Sequence, residues 1–322
     1  MTATTPQPEV PTKPESVRGK QRPGDRIFRG TAVTAGTLIV LVLAAVAIFL
    51  IAESIPAFVE DPEENQILAG QNFFAYAGPL VFGTLWSAVL ALAVATPVAV
   101  GIALFISHYA PRKLSAGLGY VIDLLAAVPS VVFGLWGGLV LAPLAQPLYS
   151  WLNENFGWFP LFSGQASATG RTILTAAIVL AVMILPIMTA LCREVFLQTP
   201  VLHEEAALAL GATRWEMITM AVFPYARPGM ISAAMLGLGR ALGETMAVTM
   251  VLSASGIVTF ELLTSSNPST IAANIALNFP EAYGTGQNAL IATGLVLFIV
   301  TFAVNAIARF VVNRRKDFSG AN

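Results

Sequence analysis

Arg240 and Glu244 stand four residues apart in GLGRALGETMAVTMVLSASG, a stretch otherwise as apolar as a membrane span. On one continuous helix, residues four apart are neighbours on the same face. Gly237, Gly239 and Gly243 would let a second backbone come close to that face. A guanidinium presents several donors in a plane that suits oxyanions and stays charged at any physiological pH. Two chemistries follow from the pair. It is either a self-neutralising strut, completed by Asp123, that holds helices together, or an anion path in which the carboxylate tempers the arginine's attraction so that the ion can leave. Ser130, directly after Pro129, either lends a hydroxyl or a freed carbonyl to the same path or bonds back to its own helix.

No other chemistry is evident. His108 and His203 are the only histidines and Cys192 the only cysteine, with no metal-ligand spacing among them, so a metal site and an internal disulfide are not expected. The histidines read as polar groups at a membrane boundary. No G-x-x-x-x-G-K-[ST] loop surrounds Lys13, Lys20, Lys113 or Lys316, so the chain is expected to use no nucleotide itself and to hold no cofactor. No nucleophile is paired with a base by motif, which argues against an enzyme.

The elements that must position these residues are membrane helices. The 322 residues are 56% hydrophobic and 11% charged, with a net charge of -1 that says nothing of nucleic acid. Windows of about 20 apolar residues give six spans, at 31–52, 80–106, 118–142, 172–192, 229–255 and 288–312, with Pro97, Pro129 and Pro186 as kinks or breaks. Residues 1–30 are polar and Pro-rich, expected to be a disordered tail, and the run after them is too long for a signal peptide. Arg240 lies ~16 Å along its span if the helix enters near Gly229, close to the midplane, where an ionisable group must face protein or water. Asp123 sits only about one and a half turns inside its window, within reach of the interface, and is the weaker site candidate.

Orientation follows from Lys and Arg. The tail carries Lys13, Arg18, Lys20, Arg22, Arg26 and Arg29, whereas the loop at 53–78 carries Glu53, Glu60, Asp61, Glu63 and Glu64 and no base. Arg112 and Lys113 mark the second loop, and Arg193, Arg214 and Arg227 the fourth. Only Arg171 marks the third, and no base the fifth, before Arg309, Arg314, Arg315 and Lys316 close the chain. This alternation puts both termini in the cytoplasm and makes 193–228 a long cytoplasmic loop. A core at 79–313 would then hold five helices, followed by a short tail at 314–322.

Local chemistry divides that loop into two short helices. Thr199 is placed to cap the first, with Pro200 at its first position and Leu202, Ala206, Ala209 and Leu210 on one face. Gly211 suits the left-handed residue that ends a helix, Thr213 and Glu216 make a capping box for the next, and Pro224 is expected to end it. Periodicity alone leaves open an amphipathic hairpin on the bilayer surface.

The stretch EAALALG, Glu205 to Gly211, followed by Pro224, resembles the EAA loop of ABC importer permeases, with Ala221 and Phe223 where that pattern prefers Ile and Leu. AAVPSVVFGLWG (126–137), AVMILPIMTALCREVF (181–196) and GRALGETMAV (239–248) resemble the PstC-type permease family of phosphate importers, from about residue 72 to the C-terminus. The resemblance implies an all-α, six-helix type I importer permease in a bacterial inner membrane. Its partners would be a second permease (PstA type), an ATPase dimer (PstB type) that uses ATP and Mg, and an extracytoplasmic phosphate-binding protein (PstS type). It further implies that Glu205, Ala206, Ala207, Gly211 and Pro224 belong to a coupling helix that docks on the ATPase. Phosphate carries protons at neutral pH that Glu244 can accept, whereas sulfate carries none and would be repelled. Two alternatives are a permease for another oxyanion or small solute and, of another class, a gradient-driven anion transporter or channel, which would use intramembrane charges equally well.

Single cysteines at Glu63 and Arg214, in a chain with Cys192 replaced, should react with impermeant thiol reagents from opposite sides of the membrane. Labelling of both from outside intact cells would invert or refute the orientation.

Overall fold

The computed structural model describes residues 23–59, 61–63 and 65–316, with side chains to residue 310. Most of the expected tail, together with Glu60, Glu64 and 317–322, lies outside the described residues. The chain divides into two units, 1–49 and 50–322.

The described part of the first unit belongs to helix α1 (Pro23–Ser54). It begins within what composition marks as tail: Pro23 loses nothing by lacking an N–H in the first turn, and Asp25 lies where the helix dipole favours an acid.

In the second unit a short α2 (Pro56–Val59) precedes α3 (Phe73–Leu104), which continues as a π turn, Phe105–Tyr109. Next come α4 (Arg112–Ala126), α5 (Ser130–Trp136), a π turn at Gly137–Leu141 and α6 (Ala142–Phe156). Helix α7 (Ile173–Leu197) leads into the loop helices α8 (Val201–Ala209) and α9 (Arg214–Met217). A third π turn, Ile218–Val222, joins α9 to α10 (Phe223–Leu242), and α11 (Met246–Val251), α12 (Ile271–Asn278) and α13 (Thr285–Lys316) complete the chain. Strands β1 (Ala254–Ser255) and β2 (Asn267–Pro268) form a minimal parallel pair.

Among the described residues five helical stretches are long and apolar enough to span a membrane: Gly24–Val59, Phe73–Tyr109, Ser130–Phe156, Ile173–Leu197 and Thr285–Phe310. The remaining expected window, 229–255, is no single helix. It is broken at Gly243–Thr245, between α10 and α11. The window at 118–142 is also broken, at Ala127–Pro129, so the helix that follows runs on to Phe156 through what was expected to be loop. Pro129 is the one proline of the three that breaks its helix; Pro97 and Pro186 lie inside continuous helices. The core at 79–313 therefore contains broken as well as continuous helices, and residues 314–316 extend α13 instead of forming a tail.

The second unit is built on α3 against α7. Ala88, Ala91, Ala95, Ala99 and Ala103 form one stripe of α3, each with no exposed surface. Side chains this small let two helices approach closely enough for backbone and side-chain contacts to accumulate along their whole length. Leu180, Met183, Ile184 and Met188 of α7 fill the same core.

Residues 252–270 are non-helical, and 262–264 and 267–270 are buried, so the polar backbone there must find partners within the protein. Ile271 N–H donates to the Thr84 hydroxyl at 2.9 Å, Ser167 N–H to the Leu263 carbonyl at 2.8 Å, and Leu262 N–H to the Leu161 carbonyl at 2.8 Å. Gly83, one residue before Thr84, admits this segment. A Cβ there would strike the Ser269 carbonyl and lie 2.9 Å from that of Pro268. Gly83→Ala should destabilise the protein by about 1–3 kcal/mol through overpacking. Gly78→Ala in the same helix, where a Cβ meets nothing within 4 Å, should not; thermal unfolding of the two variants in detergent makes the comparison.

Candidate functional site

The loop between α7 and α10 folds largely as its local chemistry requires. Gly211 has φ +89°, and the turn is a Schellman motif, with Gly211 N–H donating to Leu208 O (3.0 Å) and Ala212 N–H to Ala207 O (3.2 Å). Thr213 and Glu216 form the capping box. The Thr213 N–H and hydroxyl donate to the Glu216 carboxylate at 2.7 and 2.8 Å, which holds its pKa below the ordinary carboxylate value. The box is therefore intact above the unfolded-state pKa and is lost as pH falls through the lowered one.

Two expectations fail here. Thr199 does not cap α8: Pro200 occupies the N-cap, and the Thr199 hydroxyl is buried without a partner because Thr199 belongs to the turn closing α7. Pro224 ends nothing. The π turn before it shifts the ladder to i→i−5 bonds, with Phe223 N–H donating to Ile218 O, and the helix passes through Pro224 in the first turn of α10.

Of the residues expected to couple to an ATPase, Glu205 and Ala206 are exposed and Ala207 is buried. Leu202 and Leu210, expected on a common apolar face, are 73% and 88% exposed. The helix thus presents carboxylate and leucines outward. Ala207 alone of α8 joins the core cluster of Ala103, Phe196, Ile218 and Val222.

The charges inside the apolar stretch are not paired. Helix α10 ends at Leu242, and Gly243 (φ −93°, ψ 0°) takes Glu244 off the helical face. Glu244 is buried, and its Oε1 accepts the Ala247 N–H at 3.0 Å, capping α11. Arg240 has no carboxylate within 4.0 Å among the described residues. Its Nε is buried without a partner. The guanidinium instead lines a groove of about 780 Å³ between α7, α10 and α13, with Ser232, Asn305 and Arg309. The strut is therefore absent: the broken helix separates the two charges.

Ser130 is the first residue of α5, half-buried. Helices α5 and α11 run together at contact distance. A Cβ on Gly134 would lie 2.8 Å from Ala247 Cα, and one on Gly138 would lie 2.8 Å from Met250 O. Asp123 is not part of this contact: it is exposed in the last turn of α4, which begins at Arg112, so it lies about three turns into its helix.

Sequence reasoning missed Arg309 and Asn305 as companions of Arg240, because no local spacing links α10 to α13. It also missed the one histidine–carboxylate contact among the described residues, His108 Nε2 to Glu204 Oε1 at 3.5 Å.

A family model described as "binding-protein-dependent transport system inner membrane component" matches residues 95–317. The chain is similar to the phosphate transport system permease protein PstC 2 of Mycobacterium tuberculosis, at 48% identity over 92% of this chain and 95% of that one. It is 41% identical to the phosphate transport system permease protein PstC of Xylella fastidiosa, over 88% of each. Among solved structures, a bacterial ABC transporter involved in import of the acidic polysaccharide alginate superposes with a TM-score of 0.56 at 17% identity, covering 91% of this chain and 99% of that one.

Because a Cβ on Gly211 would meet nothing within 4 Å, any penalty there comes from φ alone. Gly211→Val should cost about 1–3 kcal/mol and tilt α8. Gly211→Asn, which tolerates the left-handed region, should lose less, as read by thermal unfolding and by solute uptake in the assembled state.

Proposed function

The chain belongs to the family of binding-protein-dependent transport system inner membrane components, multi-pass permeases that do not themselves hydrolyse ATP, and from that membership we propose that it is the PstC-type permease subunit of an ATP-driven phosphate importer. The observation that carries the reading is its 48% identity, along almost its whole length, to a phosphate transport permease. The outward Glu205 and leucines of α8 support it, since they offer a charged and apolar surface to a cytoplasmic ATPase.

In this reading the permease has the six-span type I fold, with both termini cytoplasmic and the broken α10–α11 segment counting as one crossing. It pairs with a second permease of PstA type, two PstB-type ATPase subunits that bind ATP and Mg, and a PstS-type phosphate-binding protein outside. Helix α8 is the coupling helix.

Phosphate meets Arg240, in the last turn of α10, and Glu244, within the helix break, in succession. The Arg240 guanidinium, with no competing carboxylate beside it, offers its donors to the anion. Glu244 commits one oxygen to Ala247 N–H and keeps the other for a hydrogen carried by phosphate. A fully ionised oxyanion meets repulsion there.

Arg240→Lys keeps the charge and loses the planar fork, so phosphate uptake by the reconstituted complex should fall about ten-fold or more, the effect of losing ~1.4 kcal/mol of interaction. Glu244→Gln should let sulfate compete while leaving arsenate, protonated much like phosphate, unchanged as a competitor. Uptake is measured in a form independent of the binding protein. Unaltered selectivity in an assembled Glu244→Gln complex would reduce Glu244 to the cap of α11.

A further inference from the structure

The coupling loop carries two adjacent glutamates, and they face opposite ways. Glu205 is exposed, whereas the Glu204 side chain is 22% exposed and turns inward to His108, whose side chain is 9% exposed. His108 belongs to the π turn that ends α3. Nδ1 is hydrogen-bonded to Ser107 Oγ at 2.7 Å, and Nε2 faces the Glu204 carboxylate at 3.5 Å. A carboxylate only accepts, so the contact is attractive when Nε2 is the ring nitrogen that carries a proton. The Ser107 hydroxyl accommodates Nδ1 either as donor or, when it donates to the Ala103 carbonyl at 2.8 Å, as acceptor. A proton on Nε2 is therefore compatible with either role of the Ser107 hydroxyl. The ring also stands edge-on to Phe196 of α7, with centroids 6.5 Å apart.

We infer that His108 and Glu204 form a tie between the end of α3 and the coupling helix, so that Glu204 positions α8 on its own subunit while Glu205 faces the ATPase. Apolar packing is too small to orient α8: Ala207 is its only buried residue. One methyl group fixes contact without fixing rotation about the helix axis. A directional contact one turn away, at Glu204, supplies the second point. At 3.5 Å it is longer than a strong charge-assisted hydrogen bond, and low accessibility limits the screening that weakens a surface pair. The π turn places it. Its i→i−5 closure, Ala110 N–H to Phe105 O at 2.7 Å, is held from α4 by the Ser115 hydroxyl on the Ile106 carbonyl at 2.8 Å. Movement of α8 is thereby passed to α3, the helix whose alanine stripe packs in the core with α7.

The inference rests on reading α8 as the coupling helix, and its test has one arm independent of that reading. His108→Phe keeps the ring against Phe196 and removes both nitrogens, whereas His108→Gln retains an N–H for Glu204. In the full complex, amide hydrogen exchange of α8 should accelerate about five-fold in His108→Phe and Glu204→Ala, the factor for a contact of ~1 kcal/mol. The double variant should be no faster than either single one, and His108→Gln should stay near wild type. Unchanged exchange, or additive effects in the double variant, overturns the tie. In the functional arm, phosphate moved per ATP hydrolysed should fall about five-fold in the two disrupting variants while the ATPase still co-purifies, and His108→Gln should retain coupling. Full coupling in Glu204→Ala with accelerated exchange overturns the transmission role. Should His108→Phe fail to assemble, Glu204→Ala, altered at a partly exposed position, decides both arms. A wild-type complex that moves no phosphate with ATP refutes the importer reading and leaves the exchange arm standing.

Discussion

The close approach of α3 to α7 is the constraint to which the rest of the second unit is fitted. Five alanines on one stripe of α3 lose all exposure, and in a lipid environment such packing, rather than the hydrophobic effect, holds helices together. Once α3 and α7 are set, Gly83 and Thr84 on α3 admit the buried stretch from Pro268 to Ile271, and α10 closes on α7 through Gly237, where a Cβ would lie 2.8 Å from Met188 sulfur. Small residues at defined positions decide where each later element can lie.

Against this rigid pair stand the places where helices are interrupted. Three π turns sit at element junctions: the end of α3, the passage from α5 to α6, and the passage from α9 to α10. The second and third insert a residue into the ladder without breaking the helix, and the first closes α3. The turn before Pro224 joins α9 to α10 as one continuous helical rod, which places Arg240 in mechanical continuity with α9. The full breaks lie at Pro129 and at Gly243–Thr245, and the elements that follow them pack closely, with Gly134 against Ala247 and Gly138 against Met250. Non-helical backbone at membrane depth is tolerated where it is enclosed by protein or lines a polar path, and Glu244 satisfies part of it by capping α11.

A lone guanidinium and a carboxylate occupied elsewhere do different work from an ion pair. An ion pair would neutralise the site and release little attraction to a passing anion. With Glu244 turned to Ala247, Arg240 keeps its charge available in a groove it shares with Arg309.

Features whose cause lies within a few residues were determined by the sequence itself. The apolar runs made helices because a helix alone satisfies its backbone in lipid. Gly211 took positive φ, and Thr213 found Glu216, because those interactions close over three or four residues. Tertiary structure alone decided the rest. No local signal told that Pro224 would be absorbed by a π turn, that Glu244 would leave the helix to cap α11 beside a glycine-lined neighbour, or which of two adjacent glutamates would turn inward. Successive side chains on a helix point about 100° apart, and the choice between Glu204 and Glu205 depended on where α3, far away in the chain, came to its end. Contacts between distant segments set those outcomes, and a sequence read along its length carries no measure of that distance.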